Sequence, residues 1–157
     1  MGKPPLVEVV IEVPKGSIVK RCSSGRLDYI SPIPCPFNYG SIDSLPGPDN
    51  DLLDAAVLGP RLRRGTRLTV PAVGAIRITD RGLPDDKILC SSRPVGVLKR
   101  FLILLFFKFY AKCKGLINFW RGHSGRNYCH GWQDVGETLE RAAIRKAVGS
   151  VNFRPLE

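Results

Sequence analysis

The chain has 157 residues, 43% hydrophobic and 24% charged, which places it among ordinary globular proteins and excludes a disordered or collagen-like polymer. Its 16 glycines and 13 prolines favour many turns and short strands over long helices. The formal charge of +10 is uneven: residues through Cys90 carry 12 basic and 10 acidic side chains, those from Ser91 onward 12 and 4, so the C-terminal half suits phosphate, nucleic acid or an anionic surface.

Leu6–Val13 alternates, with Val7, Val9, Ile11 and Val13 on one face and Glu8 and Glu12 on the other. This predicts a strand ended by Pro14-Lys15-Gly16. Residues 17–22, which carry Lys20, are expected to return as the second strand of a hairpin. Pro32, Pro34 and Pro36 remove ladder donors from residues 30–39, predicting an extended edge or loop able to frame a pocket. Gly47-Pro48 then turns the chain into Asp49-Asn50-Asp51-Leu52-Leu53-Asp54, followed by a short apolar strand over 53–58.

Three carboxylates in so short a stretch need a cation. Two unit charges about 4 Å apart repel by roughly 4 kcal/mol at an effective dielectric near 20. All-oxygen ligation suits Mg²⁺, Mn²⁺ or Ca²⁺ rather than zinc. Residues 61–66 form a basic loop, and 68–79 a β-rich stretch with Ile76 and Ile78 on one face, closed by Asp80. Arg81-Gly82-Leu83-Pro84 is a turn by composition, and Asp85-Asp86-Lys87 enters another apolar strand over 88–90.

From 95 to 114 the pattern becomes helical. Its uninterrupted apolar run, Phe101 to Phe107, is seven residues, far short of the roughly 20 that span a bilayer. Lys99, Arg100, Lys108, Lys112 and Lys114 scatter around the wheel, so a core-packed helix is expected and no membrane association. Residues 122–131 read as loop, and 133–148 as a closing amphipathic helix. The five cysteines, Cys22, Cys35, Cys90, Cys113 and Cys129, form no C-x-x-C pair, which predicts reduced thiols and a cytoplasmic location. No targeting segment is expected at the N-terminus. His123, His130, Cys113 and Cys129 fit no standard zinc spacing.

Asp49, Asp51 and Asp54 on one strand corner, with Asp80 and Asp85 on a second, form a two-metal pattern. Paired cations activate a water and clamp the oxygens of a phosphoryl group. The order Glu-Val-Pro-Lys-Gly-Ser at 12–17, Lys20, Pro36-Phe37-Asn38-Tyr39-Gly40, the acidic stretch at 49–54, Thr79-Asp80 and Asp85-Asp86-Lys87 resembles the family I soluble inorganic pyrophosphatases. The resemblance runs in order over 7–90 and is fainter over 91–157. There Phe106-Phe107-Lys108-Phe109-Tyr110 is similar to the family's helix with its phosphate-binding Tyr, and Gly131-Trp132 to its late Gly-Trp. Residues 1–157 are expected to form one domain.

The resemblance implies an α+β, mainly β fold: a small five-stranded OB-like β-barrel flanked by two or so helices. It implies hydrolysis of pyrophosphate to two orthophosphates with Mg²⁺, or Mn²⁺ as substitute. Asp49, Asp54 and Asp85 would hold the metal pair that activates the water, Asp80 with Asp85 the metal arriving with substrate, and Glu12 a further metal through water. Asp51 would take the water's proton, a role also credited to the position of Asp85. Lys20, Tyr39, Lys87 and Tyr110 would bind the phosphates, and homo-oligomers would form.

The chain departs from the family at several of these places. Cys22 stands where the family has an acidic residue and Cys35 where it usually has Tyr. Tyr29 stands near the place of a phosphate-binding Arg, and Ala111 follows Tyr110 where a Lys is usual, with Lys112 one step away. Each lost charge-assisted contact costs roughly 1.5–3 kcal/mol, so reduced activity is expected. Two rivals are a catalytically inactive pyrophosphatase-like protein and an OB-type nucleic-acid-binding module. The latter draws on Arg61, Arg63, Arg64 and Arg67 but is disfavoured by aromatics that make up only 8% and cluster in the helix.

Overall fold

The N-terminal alternation forms β1 (Leu6–Val13), in which Val7, Val9, Ile11 and Val13 are buried and Glu8 is exposed. The computed structural model describes residues 3–21, 26–47, 51–123 and 125–151. Along them follow β2 (Val19–Arg21), β3 (Leu27–Ile30), β4 (Asn38–Pro46), β5 (Leu52–Val57), β6 (Arg67–Asp80), β7 (Leu83–Pro84), β8 (Lys87–Cys90), α1 (Val97–Trp120), β9 (Tyr128–Gln133) and α2 (Val135–Val151).

Five strands close into a barrel in the order β1-β4-β5-β8-β6, with β6 pairing back onto β1 from Leu6↔Pro71 to Val10↔Arg67. All neighbours are antiparallel except β5 and β8, which run parallel from Asp54↔Lys87 to Val57↔Cys90. Closure removes the open edges that would otherwise template aggregation. It also demands close approach at Gly40, where an added Cβ would lie 2.0 Å from the Val10 carbonyl oxygen, beside the register shift between Ile11 and Val13.

Period-2 alternation divides the barrel strands between two cores. Val9, Ile11, Ile42, Leu53, Ala55, Val70, Ala72 and Ile88 face inward, and Ala142 of α2 packs into this set. Asp134 fixes the start of α2, accepting from the Glu137 N–H at 3.0 Å. Tyr39, Ala56, Ile76, Ile78 and Leu89 face outward and meet Ile103, Phe107 and Ala111 of α1. Phe107 stacks on the buried Phe37 with ring centroids 5.4 Å apart. The pairing of Ile76 with Ile78 on one face, expected from sequence, is thus the seat of α1.

Three local expectations are corrected. β2 does not pair with β1, because both edges of β1 are taken by β4 and β6; β2 instead forms a separate two-stranded ribbon with β3. The predicted loop over 122–131 contains β9, which pairs with the far half of the 14-residue β6 from Ala75↔Gln133 to Thr79↔Tyr128. That long edge recruits a Tyr-Cys-His-Gly-Trp-Gln segment in which Tyr128 and Trp132 favour a strand while Gly131 and the preceding glycine-rich residues read as loop. The helix predicted to end at residue 114 continues to Trp120.

One side of α1 packs, but the other presents large apolar side chains to solvent, among them Leu98, Phe101, Leu105, Leu116 and Trp120. No helix among the described residues is long and apolar enough to cross a membrane.

Candidate functional site

The outward alternation that seats α1 ends in polar residues at one end of the barrel. Ile76 and Ile78 are followed on β6 by Asp80, Leu89 is preceded on β8 by Lys87, and Ala56 on β5 by Asp54. Register then joins them: Asp54 lies opposite Lys87 on one side and Ser41 on the other. Asp85 reaches the same place because its N–H donates to the Ile78 carbonyl at 2.8 Å.

Lys87, 1% exposed, sits at the centre. Its ammonium donates to Asp54 Oδ2 and to Asp85 Oδ1. Asp54 Oδ2 also accepts from the Tyr39 hydroxyl at 2.6 Å and lies 3.8 Å from Lys20 Nζ. The Lys20 ammonium stands 4.8 Å from the Tyr39 ring centroid. Burial alone would raise the Asp54 pKa, but the charges of Lys87 and Lys20, with the hydrogen bonds from Lys87 and Tyr39, hold it well below the usual carboxylate range. Burial would lower Lys87, but Asp54 and Asp85 outweigh it and raise that ammonium. Burial, then the Asp54 charge, pushes the Tyr39 hydroxyl well up, so it stays a donor.

Glu12 borders this set on β1 and accepts from the Ser41 hydroxyl at 2.8 Å. Burial raises its pKa, with the nearby Asp54 and Asp51 charges adding to the effect. Asp51 is exposed at the rim, where its Oδ1 accepts from the Leu52 N–H at 2.8 Å. Tyr110 on α1 stacks on Phe106 with centroids 6.2 Å apart. The Pro-rich loop and α1 together line an apolar cleft, through Cys35, Phe37 and Phe106, that runs to Lys20, Tyr39 and Tyr110. Of the residues singled out from sequence, the structure gathers Glu12, Lys20, Tyr39, Asp51, Asp54, Asp80, Asp85, Lys87 and Tyr110; Asp49 lies outside the described residues.

Three further residues belong to this neighbourhood. Lys114 Nζ lies 2.5 Å from Asp80 Oδ2 and 3.9 Å from Asp85 Oδ2. Asn118 and Asn127 donate to Asp80 Oδ1 at 3.1 and 2.7 Å. Burial would raise Asp80, but Lys114 and Asn127 lower it. Lys114 and Asn118 follow Tyr110 at four-residue steps, one stripe of α1. That spacing was a usable signal for Lys114, whereas the adjacent Lys112 is exposed.

Asp54 and Asp85 offer carboxylate oxygens that suit a hard cation such as Mg²⁺ or Mn²⁺, with the Lys87 ammonium on one oxygen of each. The Asp80 corner differs, because both of its oxygens are held, Oδ2 by the Lys114 ammonium and Oδ1 by two amides. Among the described residues no group of three His, Cys, Asp or Glu side chains stands at metal-ligand spacing. Burial pushes the Cys35 thiol up to about 11 and the Cys90 thiol to about 12, so neither is a nucleophile at neutral pH. His130 hydrogen-bonds Thr79 at 2.8 Å instead of approaching a metal set.

Comparison with known proteins agrees with this geometry. The sequence profile of the family described as inorganic pyrophosphatase matches residues 9–100. The chain is 34% identical over 103 residues to the soluble inorganic pyrophosphatase of Hordeum vulgare, covering 59% of this chain and 48% of that one. It is 36% identical over 91 residues to the inorganic pyrophosphatase of Streptomyces coelicolor, covering 53% and 56%. The chain thus spans about half the length of the curated relatives it matches. The crystal structure of inorganic pyrophosphatase from Thermus thermophilus superposes with a TM-score of 0.72 at 27% identity, covering 89% of this chain and 88% of that one.

Proposed function

The chain belongs to the inorganic pyrophosphatase family, and on that premise we propose that it hydrolyses pyrophosphate to two orthophosphates as a Mg²⁺-dependent enzyme. The observation that carries the reading is Lys87, a buried ammonium shared by Asp54 and Asp85 with Lys20 and Tyr39 beside it. Alternating fixed charges of this kind suit a polyanion bridged to the protein by cations.

Asp54 and Asp85, with Asp49, are the proposed holders of Mg²⁺, for which Mn²⁺ is a substitute, and Glu12 acts at one remove through water. Mg²⁺ there supplies Lewis-acid chemistry, lowering the pKa of a water and neutralising phosphoryl charge. Lys20, Lys87, Tyr39 and Tyr110 bind and orient the phosphates, and burial of Lys87 and Tyr39 keeps their hydrogen bonds strong. Asp51 takes the proton of the attacking water as the new P–O bond forms and the bond to the bridging oxygen breaks; Asp85 is the second candidate for that proton. Activity is reduced relative to a member with a full set of phosphate-binding cations, because no Arg stands at the place of Tyr29.

The nucleic-acid reading is weaker, because part of its basic cluster serves the fold. Arg61 donates to the Lys15 carbonyl, and Arg67 pairs with Asp43 at 2.8 Å. A second copy of this chain is the proposed cover for the outer face of α1. Its exposed leucines and aromatics, among them Leu98, Phe101, Leu105, Leu116 and Trp120, form an apolar face of the kind that homodimer interfaces bury. Light scattering should then give a dimer or larger assembly that Leu105→Glu dissociates, and a monomeric wild type would refute it.

Phosphate release from pyrophosphate in MgCl₂ tests the activity. Wild type should exceed Asp51→Asn by at least about 100-fold; equal rates would overturn the enzyme reading.

A further inference from the structure

Both carboxylate oxygens of Asp80 are taken by donors of this chain. Oδ2 has the Lys114 ammonium at 2.5 Å, and Oδ1 accepts from Asn118 and Asn127. The orientation of the Asn127 amide is set from behind, since its Oδ1 accepts from the Arg81 N–H and from Asn118, both at 3.4 Å. Lys114 and Asp80 side chains are 17% and 11% exposed, so the pair is largely closed to water. All three donors lie beyond residue 100, outside the stretch that the family profile matches.

We propose that the Lys114 ammonium permanently holds the cation position between Asp80 and Asp85, so that divalent ions bind this chain only on the Asp54 side. The proposal rests on the metal-dependent reading above. An ammonium has three donors and no acceptor. It holds Asp80 Oδ2, lies 3.9 Å from Asp85 Oδ2, and carries a charge that repels a further cation. Mg²⁺ demands a near-octahedral oxygen shell at about 2.0–2.1 Å, and it cannot share Asp80 Oδ2 with a nitrogen at 2.5 Å. Asp54 also has an ammonium on it, but its donors all meet Oδ2, whereas at Asp80 the two amides take Oδ1 as well and leave the carboxylate no oxygen to turn to a metal. Lys114 is a positioning residue in this account: it sets how many divalent ions the site takes, and one fixed positive charge replaces two.

Equilibrium binding of Mn²⁺ in the presence of saturating methylenediphosphonate, a pyrophosphate analogue that water does not split, counted by the paramagnetic resonance of the free ion, tests this directly. Asp80→Asn in the wild-type background should leave the number of bound ions unchanged. Lys114→Gln should bind one more Mn²⁺ per chain than wild type, and Lys114→Gln with Asp80→Asn should lose that ion again. Loss of an ion on Asp80→Asn alone, or no gain in a folded Lys114→Gln, overturns the proposal. If Lys114→Gln does not fold, judged by thermal unfolding, the Asp80→Asn count decides alone. Failure of the metal-dependent reading has a different signature: wild type would show no Mn²⁺ site that Asp54→Asn removes, while the Lys114→Gln comparison would still decide the fate of Lys114.

Discussion

Lys87 on β8 lies directly across a parallel rung from Asp54 on β5, and its buried ammonium donates to that carboxylate while holding Asp85 on the other side. Removing one partner of a buried pair leaves uncompensated charge and costs about 3–5 kcal/mol. Lys87→Met should lose that much in urea unfolding at pH 7. Adding Asp54→Asn should recover part of the loss, since the two substitutions touch and are not additive. Mg²⁺ should also stabilise Lys87→Met more than it does wild type.

The same pair fixes the pH profile of stability. The folded pKa of Asp54 is depressed, so its contribution is complete above the usual carboxylate range and is lost as pH falls through that range toward the folded value. The folded pKa of Lys87 is raised, so its contribution is complete below the usual lysine range and is lost as pH climbs through the folded value. Stability measured by chemical denaturation should therefore hold between these limits and fall on both sides.

Glu12 has the opposite sign to Asp54. Its folded pKa is raised, chiefly by burial, so ionising it opposes folding above the folded value and the penalty disappears as pH falls below its unfolded value. Glu12→Gln keeps an acceptor for Ser41 and should raise Tm by about 1–3 °C at pH 8. At pH 4 the two proteins should melt together.

How much of this was visible in the sequence depended on whether period-2 alternation carried the signal. β1 was read with its observed limits because Val7, Val9, Ile11 and Val13 alternate with polar residues. Asp54 and Asp80 are legible from carboxylates crowded at two strand ends, and Lys87 from its place beside the second of these and from the family resemblance. β9 was missed because Gly131 and the preceding glycine-rich residues read as loop, and its partner edge on β6 makes it a strand. Lys114 is not singled out by the linear pattern, in which Lys112 is the lysine nearer to Tyr110; the four-residue step of the helix is what brings Lys114 to Asp80.

Lys20 tests the anion side. It stands 3.8 Å from Asp54 and 4.8 Å from the Tyr39 ring centroid, lining the cleft that reaches Tyr110. A charge-assisted contact to phosphate is worth about 1.5–3 kcal/mol. If Lys20 makes it, Lys20→Met should lower kcat/KM for pyrophosphate roughly 10- to 150-fold, and unchanged kcat/KM in the folded variant would refute that role.

Gly40 tests the barrel closure on which the register of the site depends. With the Val10 carbonyl oxygen 2.0 Å from the place of a Cβ, Gly40→Ala forces β1 and β4 apart. It should cost ~3 kcal/mol in denaturant unfolding. By contrast, Gly96→Ala meets nothing within 4 Å and should cost only about 0.5–1 kcal/mol, through the N-cap of α1.

The central claim, that this chain splits pyrophosphate with water at the Asp54–Lys87–Asp85 site, is tested most directly by phosphorus NMR of Mg²⁺-pyrophosphate hydrolysis in oxygen-18 water. The account predicts that the pyrophosphate signal converts to orthophosphate with one solvent oxygen incorporated per pyrophosphate cleaved, and at least about 100-fold more slowly with Asp54→Asn. No orthophosphate from the folded wild type, or conversion at the same rate in the variant, would contradict it.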